Sequence, residues 1–228
     1  MTDTETAAEL ARLGEAYFAT QHSYDPYNAT LLGVEEFDGL SFDPSRQASE
    51  RTAQELAAIG RQVREIDTAG LTGAQRVDHG VLTALVEGAR SDAEHSLWAA
   101  NASAKSYVSR QGLIFQAVPA MTVASAEAAA RYLGRLSMIG ATLDALGQRY
   151  LAEAADGRTP SAVGVDHAIS QLEGYVPAGS SWTPAFTTWD GRVSRRSTSC
   201  TSTPRPRAST CATKSTVTSP GPARRSPT

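Results

Sequence analysis

The chain of 228 residues has 41% hydrophobic residues and a net charge of −3, a length and composition that suit one domain with a sizeable core. Residues 195–228 carry six Arg, one Lys and no acid, which leaves residues 1–194 at −10. An acidic body argues against a nucleic-acid surface outside this basic tail.

The cysteines and the apolar runs restrict the class of protein further. Cys200 and Cys211 both lie in the basic tail, so the pattern supports neither a disulfide framework nor a Cys-based zinc site. The N-terminus is acidic where a secretory signal is basic, and no stretch approaches the roughly 20 apolar residues of a membrane span. We therefore expect a soluble, cytoplasmic protein with no membrane contact.

Helical periodicity begins at the N-terminus. A first helix is predicted to end at Pro26, and a second is predicted to begin with Asp43 as N-cap and Pro44 at the first helical position. The predicted apolar faces of these two helices comprise Leu10, Leu13, Tyr17 and Phe18, and then Leu56, Ile59, Val63 and Ile66.

Thr72 and Gln75 have the spacing of a capping box, which predicts the start of a third helix. Residues 106–121, SYVSRQGLIFQAVPAM, are less periodic and contain Gly112 and Pro119, so they predict a loop or a short helix. The predicted apolar stripe of the third helix comprises Leu82, Leu85, Val86 and Ala89.

From Ser125 the pattern predicts either one long helix or two that meet near Gly140, with Gly157 as a C-terminal cap. A last helix is predicted from Pro160 and Ser161 to about Tyr175. The predicted stripe of the long helix comprises Tyr132, Leu133, Leu136, Ile139, Leu143, Leu146 and Tyr150. Because no period-two alternation of useful length appears, residues 1–176 are predicted to form an all-α, multi-helix bundle.

The four histidines do not form a recognised metal motif. They are His22, His79, His95 and His167. The sequence has no HExxH, and the segment SDAEH would match the inverted zinc motif only if Ser91 were His. The Asp78-His79 and Asp166-His167 pairs are adjacent, so on a helix they point about 100° apart and are interpreted as surface pairs.

Phosphate-binding, dinucleotide-binding and nucleophile-elbow motifs are also absent from the sequence. Residues 24–27, Tyr-Asp-Pro-Tyr, could line a pocket, but aromatic rings more often close the core at a helix break, and we favour that interpretation. No catalytic, cofactor-binding or metal-binding residue is predicted.

Three stretches, taken together, resemble a known bacterial family. They are DPYNATLLGVEEFDGLSFDPS, IDTAGLTGAQRVDHGVLTALVE, and the run from VSRQGLIFQAVPAM through AEAAARYLGRL to HAISQLEGYV. Their order and spacing over residues 10–176 are similar to the N-terminal half of the domain-of-unknown-function 885 (DUF885) family.

That resemblance implies a mostly helical, zinc-metallopeptidase-like protein. The family's zinc motif, an HExxH variant with Pro-Gly before the second His, would lie in a C-terminal half. In such an enzyme zinc polarises a carbonyl and activates water while the glutamate moves protons. No zinc ligand and no catalytic glutamate can be transferred to a position of this chain, which we expect to be an inactive, truncated fragment that binds no cofactor.

The tail has an unusual codon signature. Ser, Thr, Pro, Ala, Arg, Gly, Cys and Trp always have G or C in the second codon position, and they make up 47 of the 52 residues of 177–228 against 90 of the 176 before them. In a GC-rich gene a displaced reading frame moves the wobble-position bias into second positions. We therefore predict a frameshift near Pro177 and a disordered tail over 177–228.

Two functions follow as hypotheses. The first is the inactive fragment of a metallopeptidase-like protein, which would self-associate through exposed apolar helix faces. The alternative is a non-enzymatic helical binding module whose basic, disordered arm contacts nucleic acid or an acidic partner.

Overall fold

Helices account for all the regular secondary structure in the computed structural model, which describes residues 3–104, 106 and 108–175. The α-helices are α1 (Asp3–Tyr24), α2 (Pro26–Leu31), α3 (Arg46–Glu65), α4 (Gly73–His95), α5 (Arg110–Ala120), α6 (Ala126–Ala155) and α7 (Ala162–Tyr175). Short 3₁₀ helices span Glu35–Phe37, Thr68–Gly70 and Leu97–Ala100. The all-α prediction is confirmed, whereas the disorder predicted for 177–228 lies outside the described residues.

The core consists of two clusters of buried side chains. The first cluster joins α1, α3 and α4, with α3 packed most extensively on α4, and it includes Leu13, Leu56, Val63 and Val86. The second cluster joins α2, α5, α6 and α7 around Trp98. Because Tyr24 at the end of α1 and Ala93 near the end of α4 belong to the second cluster, these two helices run from one cluster to the other.

Local sequence explains several helix boundaries. Thr72 and Gln75 form the predicted capping box, with the Thr72 amide donating to Gln75 Oε1 at 2.9 Å and the Gln75 amide to Thr72 Oγ1 at 3.3 Å. Gly157 has φ of +80° immediately after α6, the left-handed conformation that glycine adopts at a helix C-terminus. α6 is a single helix that continues through Gly140.

One predicted cap was wrong. α3 begins at Arg46, and its N-cap is Ser45, whose Oγ accepts from the Ala48 amide at 3.1 Å. Asp43 instead accepts from the Ser45 amide at 2.9 Å, and it lies two residues too early to cap the helix. The chain is still extended at Ser45, with ψ of 150°, so Pro44 lies before the helix rather than at its first position.

Some residues of the predicted apolar faces lie on the surface. The α3 face is buried as predicted, at Leu56, Ile59, Val63 and Ile66. In contrast, Phe18 of α1 is 36% exposed. Leu85 of α4 is 47% exposed, and Leu133 and Leu136 of α6 are 64% and 39% exposed, so these assignments were wrong. Both α4 and α6 carry apolar residues on more than one face, and the periodicity does not say which face packs inward.

Candidate functional site

The most unusual feature of the interior is a buried arginine surrounded by aromatic rings. We call Tyr24, Asp25, Phe42, Asp92, Trp98 and Arg110 the Arg110 cluster. Arg110, on the first turn of α5, is 5% exposed and forms an ion pair with Asp25, the N-cap of α2. Its guanidinium carbon lies 4.5 Å from the ring centre of Phe42 and 5.4 Å from that of Tyr24. Cation–π contacts and an ion pair together compensate the burial of this charge.

Polar contacts extend the Arg110 cluster on both sides. Trp98 Nε1 donates to the Tyr24 hydroxyl at 3.1 Å, and that hydroxyl shares a 3.2 Å hydrogen bond with Ser49. Asp92 lies 3.9 Å from Arg110. Burial raises the pKa of Asp92, and the positive charge of Arg110 opposes that rise. The cluster therefore holds the ends of α1 and α4 against α5.

A second buried arginine, Arg135 of α6, binds the segment between α2 and α3. Its guanidinium donates to the carbonyls of Phe37 at 2.7 Å and Leu40 at 2.9 Å, and to Thr30 Oγ1 at 2.5 Å. Asp38 lies 3.6 Å away. The side chain is fully buried, and these oxygens accept hydrogen bonds from the N–H groups of its planar guanidinium.

A third group of arginines surrounds the buried carboxylate of Glu153 on α6. Arg149 and Arg158 each approach it to 2.7 Å, and Arg46 of α3 to 3.3 Å. Arg149 also donates to the Pro44 carbonyl at 3.0 Å. These contacts connect α6 to the start of α3, and they line a cleft of about 190 Å³ that also contains His95.

A larger cleft of about 310 Å³ lies between the end of α1, the segment before α3, and α3 itself. Its walls are rich in hydroxyl groups, with Arg51, Asp43 and Glu55 as the charged members. The residues that line it are Thr20, Ser23, Tyr24, Leu40, Ser41, Asp43, Ala48, Arg51, Thr52 and Glu55. Tyr24 thus closes the core, as we favoured for the Tyr-Asp-Pro-Tyr corner, and also lines a pocket.

The histidines are dispersed. His22 is buried on α1, with its ring 4.3 Å from that of Phe18, and burial lowers its pKa. His79 Nε2 contacts the Val63 carbonyl at 2.9 Å, while His95 lies at the end of α4 and His167 on α7. Within residues 3–104, 106 and 108–175, no group of three or more His, Cys, Asp or Glu could hold a metal ion.

Sequence reasoning missed the three buried arginines. Arg135, Thr142 and Arg149 recur at intervals of seven on α6, and all three are buried. Residues seven apart lie on the same helix face, so this stripe coincides with the one that contains Leu146. Arginines repeated on an apolar face were the signal that could have revealed Arg135 and Arg149, whereas Arg110 on α5 gives no such signal.

A family model, described as bacterial protein of unknown function (DUF885), matches residues 26–214, which is most of the chain. The chain belongs to the DUF885 family. The resemblance noted from the sequence is thereby confirmed. No curated protein and no solved structure matches the chain.

The DUF885 match covers α2 to α7 and therefore Arg135, Glu153 and the Arg110 cluster apart from Tyr24 and Asp25, which lie just before it. It also continues beyond Pro177, where the codon signature predicts a displaced frame. Among the described residues, no helix is both long and apolar enough to cross a membrane.

Proposed function

We propose that this chain provides the helical, non-catalytic part of a metallopeptidase-like DUF885 protein and does not hydrolyse peptides by itself. The observation that carries the proposal is that the buried carboxylates lie next to arginines. Asp25 is paired with Arg110, Asp38 lies beside Arg135, and Glu153 is surrounded by three arginines. A carboxylate held in this way stabilises the fold, whereas a general base needs a free lone pair within reach of substrate.

The described residues do not fit a zinc ion. A catalytic zinc site needs three protein ligands that converge on one point and leave a fourth position open. His79 and His95 are 16 residues apart on α4, about 24 Å along its axis, and among the described residues no group of three or more His, Cys, Asp or Glu could hold a metal ion. HExxH is absent from the whole sequence, and we derive no catalytic step for the described helices.

The experiment is zinc analysis of the purified full chain combined with a peptide-hydrolysis assay. We expect substoichiometric zinc and no turnover above the buffer rate, with or without added zinc. Stoichiometric zinc that survives dialysis, or turnover abolished by a chelator, would contradict the proposal. An unrelated HExxH metallopeptidase, assayed in parallel, shows that the peptide substrates and zinc conditions are adequate.

We further propose that the chain is truncated by a displaced reading frame near Pro177. The composition of 177–228 supports this, although the family match continues to residue 214. Sequencing of the gene distinguishes a displaced reading frame from a tail that is encoded in the original frame. A one-base correction near codon 177 should restore a long frame that encodes HExxH, and its absence would count against the truncation.

The second candidate function is a helical binding module whose basic arm contacts nucleic acid or an acidic partner. The charge of +7 in residues 195–228 favours it, and those residues lie outside the described ones. If this second function were correct, contacts between arginines and phosphates would make the affinity for nucleic acid fall steeply as the salt concentration rises. We expect no salt-dependent binding of DNA or RNA in a fluorescence polarisation titration. Tight binding that is lost when the six tail arginines are replaced by Ser would favour this second function.

A cytoplasmic location and self-association through apolar helix faces are part of the same proposal. The exposed apolar side chains of α4 and α6 support the association.

A further inference from the structure

The outer face of α4 is apolar over about four turns, roughly 22 Å at 1.5 Å per residue. Val77, Val81 and Leu85 follow one another at intervals of four, and they are 65%, 52% and 47% exposed. We call this face the α4 stripe. Its exposed residues are Gly73, Ala74, Val77, Gly80, Val81, Ala84, Leu85 and Gly88.

The glycines of the α4 stripe have no packing role within the described part of the chain. A methyl group added at Gly80 or Gly88 would meet nothing within 4 Å there. Glycine inside a helix costs about 1 kcal/mol relative to alanine, and it suits sites where another backbone approaches closely. Small residues between large apolar ones thus form hollows beside Val77, Val81 and Leu85.

We propose that the α4 stripe is the contact surface of a symmetric dimer, in which the α4 helices of two copies pack antiparallel. The two-fold axis passes between Gly80 and Val81. In this register Val81 of each copy faces Gly80 of the other, and Val77 faces Ala84. Each valine fills a hollow left by a small residue, and the same patch serves both copies, as a two-fold interface requires.

The charges beside the α4 stripe point to a second copy as the occupant. Arg76 and Glu87 are exposed and lie on the same edge of the stripe, about 20° apart around the helix and about 16 Å apart along it. In the antiparallel register, Arg76 of one copy comes within about 3 Å of the level of Glu87 in the other. Two equivalent ion pairs then flank the apolar contact.

These two side chains also have partners within their own chain. Arg76 donates to the Leu71 carbonyl, and Glu87 accepts from Arg90 at 2.7 Å. A guanidinium has five donors and a carboxylate about four acceptor sites, so both can add a contact across the dimer. Since residues 1–194 carry −10, association without such matched charges is opposed by repulsion.

Sedimentation equilibrium of the full chain at increasing concentration tests the dimer. A single pair of helices buries less than a standard interface, so we expect a reversible dimer with a dissociation constant on the order of 10 μM. Val81→Lys should raise that constant at least about tenfold. The matched control is Val163→Lys on α7, where the valine is 64% exposed, and it should leave the constant unchanged.

A charge exchange tests the register. Arg76→Glu and Glu87→Arg should each weaken the dimer, because each places like charges opposite one another, and the double variant should restore it to within about threefold of the original. Circular dichroism checks that the variants remain helical. A chain that stays monomeric up to about 1 mM, a dimer insensitive to Val81→Lys, or a double variant without recovery would each overturn the proposal. This proposal rests on the self-association proposed above: a monomeric chain would overturn both, whereas a dimer insensitive to Val81→Lys would overturn only the α4 contact. Zinc content and peptidase activity bear on neither, so the non-catalytic role is tested separately.

Discussion

Asp25 and Arg110 form an ion pair in the interior, where Asp25 also caps α2 and Arg110 contacts three aromatic rings. The two residues are 85 positions apart in the chain, so their contact closes a large loop. One carboxylate thereby stabilises both the start of a helix and a buried cation. Through Arg110 the ion pair lies against Tyr24, Phe42 and Trp98 of the second core cluster.

Removal of the carboxylate should therefore be costly. Asp25→Asn leaves the Arg110 guanidinium buried, with Asp92 at 3.9 Å as its remaining acidic neighbour. We expect a loss of about 3 kcal/mol in the free energy of unfolding, because an uncompensated buried charge is strongly destabilising. Urea denaturation measures it, with Asp166→Asn on the exposed side of α7 as control. A loss no larger than that of the control would contradict this role.

Arg135→Lys tests whether the guanidinium fork matters more than the charge. Lysine keeps the charge but cannot donate to the Phe37 and Leu40 carbonyls and to Thr30 together. We expect a loss of about 2–3 kcal/mol, the cost of buried acceptors left without donors. The exposed Arg61→Lys serves as the matched control in the same urea titration. Equal midpoints for the two variants would show that the fork is dispensable.

His22 should make stability depend on pH. Burial lowers its pKa below the ordinary value of about 6.5, opposed by the charges of Asp25 and Glu36. As the pH falls below about 6.5, the unfolded chain takes up the proton first, so the contribution of His22 to stability is lost toward the lower folded-state pKa. Above that range the contribution is constant.

We expect the urea concentration at the midpoint of unfolding to decrease as the pH is lowered from 7.5 to 5. The decrease should be smaller in a His22→Phe variant. His95→Phe, at the exposed end of α4, should keep the slope of the original chain. Identical slopes for all three proteins would remove His22 as the cause.

The two candidate caps of α3 give different expectations. Ser45→Ala removes the acceptor of the Ala48 amide and should cost about 1 kcal/mol. Asp43→Ala removes an exposed turn contact and should cost less than half of that. Thermal unfolding of both variants measures the difference. The reverse order of effects would restore Asp43 as the cap.

Sequence patterns predicted the helices well where each helix had one apolar face. The face of α3 from Leu56 to Ile66 is fully buried, since its opposite side is polar. α4 is different, because it has apolar residues on two sides. Leu82 and Val86 are buried by tertiary packing, whereas Val77 and Val81 are exposed. Periodicity identifies a helix, but partners in space decide which side is inside.

The candidate site was less predictable than the fold. Tyr24 and Asp25 were recognised as a compact corner, yet their partners Trp98 and Arg110 are more than 70 residues away in sequence. A charged residue is normally assigned to the surface, and only its spatial partners reveal that it is buried. Arg135 and Arg149 were missed for this reason.

The fluorescence of Trp98 can report on the packing of the second core cluster. It is 2% exposed and contacts Phe42, Tyr150 and two guanidinium groups, while the other two tryptophans of the chain are Trp182 and Trp189. A chain with Trp182→Phe and Trp189→Phe retains Trp98 as its single indole. Because the ring is buried in the folded state, its emission should shift to longer wavelength when it becomes exposed to water. Loss of packing between α5 and α6 thereby becomes visible separately from the helix content of α1, α3 and α4.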